Sequence, residues 1–291
     1  MNLFKKTIAG AIFLGHFLLP SILHSEESKT EVSPFVLMTV PKSGSHLTIK
    51  ALHFLTNGVS LWHTHFPAMY TVRPDEGFLY THLCISPGLE EDYANLPKLK
   101  KIVNVRDLRD VCVSIVHQIR KAPWPGMTGE ERAIFKQMPF EQQLFYVFNY
   151  EYELREIAKV APNNLQVSVS KLAEQMLRLS LDPKNLVCRY ENLVGPEGGG
   201  DAEAQIEELQ RIAEYLNISV TRDYLISIAS QLYGNSIDPF GKEGFEHFRS
   251  TFHKGQIGGW REMFTEEHKA IFKEKFGHVL IALGYEYDNN W

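Results

Sequence analysis

The chain has 291 residues, is 44% hydrophobic and 22% charged, and carries a formal net charge of −5. That composition suits one large globular domain or two small ones. The acidic balance excludes a general nucleic-acid binder, so any basic site must be local. The three cysteines, Cys84, Cys112 and Cys188, have no metal-ligand spacing and are too few for a disulfide framework; two fall in apolar runs and read as small core residues.

Residues 1–30 stand apart from the domain expected over 31–291. Lys5 and Lys6 precede an apolar run from Ile8 to Leu23, broken by His16 and Pro20, and polar residues from Ser25 to Lys29 follow. This is a basic n-region and h-region of signal-peptide type. The run is shorter than the ~20 residues a membrane span needs, which favours a signal peptide over an uncleaved anchor. The expectation is export, or membrane attachment through residues 8–23; an unused leader leaves the domain in the cytoplasm.

The domain begins with an apolar run, Phe35 to Val40, that reads as a buried strand. Pro41-Lys42-Ser43-Gly44-Ser45-His46-Leu47 follows, and Leu47, Ala51, Leu52 and Leu55 then space as one face of a helix. Strand, tight loop, helix is the arrangement in which free N–H groups at a helix start, with a Lys and small or hydroxyl residues, cradle an anion. It is not a Walker loop, because Lys42 precedes the single Gly44. The next segment, Gly58 to Phe66, holds His63 and His65 and reads as a loop with two polar rings rather than a metal site. Gly77 to Leu83 reads as a second strand, with His82 where the apolar run ends.

Lys100 to Val105 is a third strand that runs into Arg106-Asp107-Leu108-Arg109-Asp110-Val111-Cys112-Val113-Ser114. Val111, Ile115 and Ile119 mark a helix face, so Arg106 lies at the strand's C-terminal end and Ser114 about two turns into the helix. Ligands of open α/β sheets sit outside those strand ends, which puts Arg106 on the rim of the Lys42 loop. The plain alternative pairs Arg106 with Asp107 at the surface. Residues 120–139 read as a loop rich in Pro and Gly. Helices are expected from about Phe140 to Val160 and from Lys171 to Leu181. Leu186 to Tyr190 is the next strand, with Glu191 and Asn192 at its end. Gly195 to Gly200 reads as a flexible linker, and Asp201 caps a helix to Leu216.

The stretch from Tyr233 to Trp260 is turn-rich and holds Phe252-His253-Lys254-Gly255-Gln256-Ile257-Gly258-Gly259-Trp260. Thr265 caps a last helix, Glu266 and Glu267 occupy its favourable first turn, and Gly284 ends it. Ile271, Phe272, Phe276, Val279, Leu280 and Leu283 form its buried face. Strands alternating with helices predict an α/β fold: three layers, a mainly parallel central sheet and a P-loop-like strand-loop-helix.

These segments resemble, in order and over residues 35–284, the sulfotransferases that use 3′-phosphoadenosine 5′-phosphosulfate (PAPS), most closely the cytosolic type. Pro41 to Ser45 resembles the family's 5′-phosphosulfate loop. Arg106 and Ser114 are similar to its 3′-phosphate site, and Thr81-His82-Leu83 to the segment of its catalytic histidine. Arg189 to Leu193 resembles the strand end whose Tyr, here Tyr190, lies near the nucleotide. Lys254-Gly255 with Gly258-Gly259-Trp260 looks like the loop closing over the 3′-phosphate. Five features depart from the family pattern: His253 stands where Arg is usual, His46-Leu47 replaces a Thr-Trp pair, Tyr80 stands where a Lys often precedes the Thr-His pair, residues 120–181 lack the expected Trp-rich pattern, and the apolar leader is atypical.

The resemblance implies in-line transfer of a sulfuryl group from PAPS to a hydroxyl or amine acceptor, releasing adenosine 3′,5′-bisphosphate. Lys42 would neutralise the leaving phosphate oxygen. Gly44 to His46, with Ser43 and Ser45, would hold that phosphate. His82 would take the acceptor's proton, and Arg106, Ser114, Tyr190, Lys254 and Gly255 would bind the nucleotide. No metal is required, since the transferring group carries a single negative charge. The acceptor is a hydroxylated small molecule, lipid or glycan. Two rivals stand beside this reading: a P-loop nucleotide kinase, and a non-enzymatic secreted or anchored α/β binding domain.

Overall fold

A computed structural model describes residues 32–57, 61–64, 78–82, 99–122, 127–149, 151–153, 166–234 and 253–291; at 61–64, 78–82, 151–153 and 166–167 it describes the backbone alone. The leader, Cys84 and the aromatic Trp124 lie outside these residues. Among the described residues no helix is long and apolar enough to cross a membrane.

The centre is a parallel sheet of five strands, β1 (Phe35–Thr39), β2 (Leu61–Thr64), β3 (Phe78–His82), β4 (Lys100–Val105) and β7 (Asn185–Arg189), in the order β2-β3-β1-β4-β7. β1 is buried along its whole length, as a central parallel strand covered on both faces must be, and this is why it reads as an unbroken apolar run. Its residues alternate between two cores. Phe35 and Leu37 pack with Ile49 and Leu52 of α1 (Ser45–Leu55) and with α7 (Ala202–Tyr215) and α8 (Arg222–Leu232). Val36 and Met38 pack with α2 (Leu108–Lys121), α3 (Gly129–Gln137), α4 (Phe140–Asn149), α5 (Val169–Ser180) and α10 (Glu266–Ala282). The result is the three-layer arrangement expected from the alternation of elements.

The chain leaves β1 toward one side of the sheet and returns at β4 on the other side. The helices after these two strands, α1 and α2, cover opposite faces. A crevice therefore opens between the C-terminal ends of β1 and β4.

Several local expectations change. Leu61–Thr64, read as a loop, is edge strand β2 paired to β3; four residues on an edge give too short an alternation to register. Residues 129–137, read as loop, form α3. Thr128 and Glu131 close a capping box there, and Arg132 reaches back to donate to Ile119 O (2.8 Å), satisfying a carbonyl at the end of α2. The helix expected to run to Val160 stops at Asn149, and Glu151–Glu153 (β5) pairs antiparallel with Gln166–Ser168 (β6). Tyr190 is not the last residue of β7 but opens the short helix α6 (Tyr190–Leu193). The glycine stretch after it is no linker. Pro196–Gly198 forms a 3-10 turn, and Gly198 O accepts from Ile257 N at 3.0 Å.

Among the described residues, the most buried cation anchors the C-terminal segment. Arg109, 1% exposed, donates to both carboxylate oxygens of Asp107 and pairs with Glu286 at 2.5 Å. Its guanidinium touches two indoles set nearly at right angles (81°), 3.8 Å from the ring of Trp260 and 4.4 Å from that of Trp291. Planar stacking and a fork of donors suit Arg here and would not suit Lys. Removing the guanidinium strands Asp107, so Arg109→Ala is expected to lower the unfolding free energy by about 3–5 kcal/mol. Trp291→Ala, which removes one of the two cation–aromatic contacts, should cost only about 1–2 kcal/mol. Urea unfolding of both variants checks the order.

Candidate active site

The site is built from the loop after β1 upward. Val40 to Gly44 turns through two left-handed residues, Lys42 (φ 68°) and Gly44 (φ 90°). A lysine in that region is strained and needs its surroundings to hold it. Ser43 supplies part of the hold: its hydroxyl lies 2.6 Å from Val40 O and 2.5 Å from the Asn104 side chain on β4. One hydroxyl proton cannot serve two acceptors. The proton goes to Val40 O or Asn104 Oδ1 at any one time, and the Asn104 NH2 has no partner. Gly44 answers a second demand. A Cβ there would stand 2.2 Å from Cδ2 of Tyr190, so the Tyr190 ring lies directly on the loop backbone.

Arg106, one residue past β4, ties the loop to two other segments. Its Nη1 donates to Lys42 O (3.4 Å) and its Nη2 to Gln256 O (2.8 Å); its Cζ sits 4.3 Å from the centre of the Tyr190 ring. Tyr190 donates its hydroxyl to Gly255 O at 2.6 Å, and burial pushes the phenol up to about 12. Tyr233 does the same for Lys254 O at 2.7 Å. Asp110, a turn after Arg106, accepts from the N–H groups of Gly258 (2.7 Å) and Trp260 (3.0 Å) and lies 3.7 Å from Arg106. Burial raises the Asp110 carboxyl, against the pull of Arg106 and the two backbone donors. The loop from His253 to Trp260 is thus fastened through its own backbone, and the side chains of His253 and Lys254 stay exposed at the crevice. The plain pairing of Arg106 with Asp107 does not occur: Asp107 serves Arg109, and Arg106 faces Asp110.

One face of α2 lines the same crevice. Asp110, Ser114, Gln118 and Lys121 recur at helical spacing, with His117 beside them. Gln118 accepts from Lys42 Nζ at 3.0 Å. His117 stacks on His253, ring centres 4.0 Å apart and 20° between planes. Ser114, half-buried, sits one turn before both. The Lys42 ammonium is lowered to about 8, first by burial and then by the neighbouring cations Arg106 and Lys121.

Lys42, Ser43, Gly44, Ser45, Arg106, Tyr190, Lys254 and Gly255 are thus gathered in one region, with Ser114 on the helix face beside them. His46, half-buried, opens the second position of α1. His82 is the last residue of β3, and its backbone pairs with Thr39, three residues before Lys42. Two strand spacings, roughly 10 Å, separate its backbone from the Asn104 register on β4. Its side chain lies outside the described atoms. Gln118, Asn104, His117 and Asp110 carry no assignment from the sequence; the last was quoted only as context, though its spacing from Arg106 marks it as a helix-face partner.

The site suits a polyanion. Buried polar atoms without a partner among the described residues of the crevice include Ser45 Oγ at the start of α1 and Arg106 Nε. A phosphate held at that helix start would supply acceptors where the protein supplies only donors.

An α/β domain with a tight left-handed loop at a strand-helix junction and a cation-lined crevice beside it defines the broad class. Residues 33–284 match the sulfotransferase domain family. The chain belongs to the sulfotransferase family. Among solved structures, the crystal structure of the mouse sulfotransferase SULT7A1 complexed with PAP aligns with a TM-score of 0.56 and 19% identity, over 85% of this chain and 84% of that chain. Curated proteins gave no significant sequence match.

Because Gly44 carries both a left-handed φ and the Tyr190 ring, Gly44→Ala should displace that ring and the loop beneath it. The expected cost is about 2 kcal/mol or more, visible as a lowered thermal midpoint. Gly199→Ala is the control, since it is also left-handed (φ 86°) but has open space where its Cβ would go; it should cost about 1 kcal/mol.

Proposed function

We propose that this crevice binds PAPS and that the chain transfers its sulfuryl group to a hydroxyl or amine acceptor. The observation that carries the reading is the convergence of Lys42, Arg106, Tyr190 and the 253–260 loop on one crevice beyond β1 and β4. Family membership and the PAP bound to the mouse neighbour support it. PAPS supplies an activated sulfuryl group on a phosphate leaving oxygen; the chain supplies position and charge.

Each residue then has a stated task. The first-turn N–H groups of Gly44 to His46 and the Ser45 hydroxyl hold the 5′-phosphate. Lys42 exchanges Gln118 for the leaving oxygen and neutralises its growing charge. Ser114 and Lys254, with the unpaired Nε of Arg106, receive the 3′-phosphate. Tyr190 and Gly255 shape the nucleotide's bed. His82, at the rim, takes the acceptor's proton as the acceptor oxygen or nitrogen bonds to sulfur and the S–O bond to the phosphate breaks. We assign the acceptor to hydroxylated small molecules, lipids or glycans; a radiolabelled sulfate-transfer screen across those classes tests the assignment.

Lys42→Ala and His82→Ala should each cut turnover by ~100-fold or more. Wild-type turnover in either variant removes that residue's role. Arg106→Ala should chiefly weaken binding of adenosine 3′,5′-bisphosphate by calorimetry. In thermal-shift assays that bisphosphate should stabilise the protein where ATP does not; the reverse result would favour a kinase.

Lys42 also sets a pH dependence. Only the ammonium form neutralises the leaving oxygen, and its value in the free protein is about 8. The ratio kcat/KM should therefore fall as pH rises through about 8. Lys42→Arg, charged throughout, should keep measurable activity and lose that alkaline limb.

A further inference from the structure

His117 and His253 bring two titratable rings into contact at the crevice. Their rings stack at 4.0 Å, and Phe140 of α4 tilts against His117 at 5.5 Å. The groups that act on His117 are His253 and Lys254 from the C-terminal loop and Arg120 and Lys121 from α2. Those that act on His253 are Lys121, Lys254 and Lys42. Every one of them is a cation or becomes one. Two imidazolium rings cannot share a 4.0 Å stack among such neighbours without strong repulsion. In the free protein burial first, and then those cations, hold His117 down to about 4 and lower His253 as well. Both rings are neutral at neutral pH.

A polyanion in the crevice reverses the balance. Its charge offsets the lysines and favours the imidazolium form. We propose that the stacked His117–His253 pair is a proton-uptake site: a nucleotide bisphosphate entering beside Lys42 and Lys254 is bound together with a proton from solvent, which settles on the imidazole pair. The inference rests on the PAPS reading of the crevice and adds that affinity is coupled to pH through His253, where the family resemblance leads one to expect a permanently charged arginine. The sign follows from linkage. The pair binds more protons in the complex than in the free protein, so affinity rises as pH falls between the two titration ranges.

The ligand's two phosphates each titrate near pH 6 and oppose this trend by losing protons on binding. A comparison of variants cancels that contribution. Calorimetry of the full chain with adenosine 3′,5′-bisphosphate, in two buffers of different ionisation enthalpy at pH 6.5, gives the protons exchanged. Wild type should take up about half to one proton more per bisphosphate than His253→Arg. Between pH 7 and 6 its affinity relative to that variant should rise by up to about tenfold. His117→Gln, which removes the stacked neighbour, should take up fewer protons than wild type. Equal proton counts in wild type and His253→Arg, with binding intact in both, overturn the proton-uptake site alone. Failure of the bisphosphate to bind wild type at all overturns the PAPS reading, and the coupling falls with it.

Discussion

The structure depends on a three-part stack: the Gly44 backbone, the Tyr190 ring upon it and the Arg106 guanidinium upon the ring. Each layer comes from a different strand end: β1, β7 and β4. The stack works only if the bottom layer has no side chain, the middle one is flat, and the top one is flat and charged. An aromatic face attracts a guanidinium, and Arg106 still has donors left for the Lys42 and Gln256 carbonyls. The same contact therefore fixes the left-handed loop and brings the 253–260 segment over it. This accounts for Lys42 holding a positive φ, which an isolated turn of this sequence would not favour.

Acidic residues build a site meant for anions without facing them. Asp110 spends its oxygens on the N–H groups of Gly258 and Trp260. Asp107 spends its own on Arg109, and Glu191 accepts from Asp107 N and the Tyr285 hydroxyl. Burial raises the carboxyls of both Asp110 and Glu191, and hydrogen bonds keep such groups tolerable in the interior. Carboxylates hold the frame, and the crevice is left to Lys42, Lys121, Lys254 and the two imidazoles. A chain with net charge −5 thus presents a locally cationic cleft, focused further by the start of α1.

Mutual repulsion among these cations has a consequence for ligand choice. Burial first, and that repulsion second, lowers Lys42 and both histidines in the free protein. On the proposed proton uptake, a polyanion would restore those charges, and ligands with several phosphate or sulfate groups would gain more than their contacts alone give.

Sequence alone determined the α/β class, the strand-loop-helix at Phe35 to Leu55 and the order of the site segments. Each of these is a local signal: an unbroken apolar run, a small-residue turn, a helical spacing after Arg106. Capped helices at Thr128 and Thr221 were equally local yet were missed, the first because nearby Pro and Gly outweighed its capping box. Tertiary structure decided the rest. Gly195 to Gly200 looks like a linker until Gly198 O is seen to hold Ile257 N. Gln118 and His117 look like ordinary helix residues until Lys42 and His253 arrive from 76 and 136 positions away. Periodicity records which face of an element is buried. It carries no record of which distant backbone or cation that face will meet, because that is settled only when the sheet orders its strands.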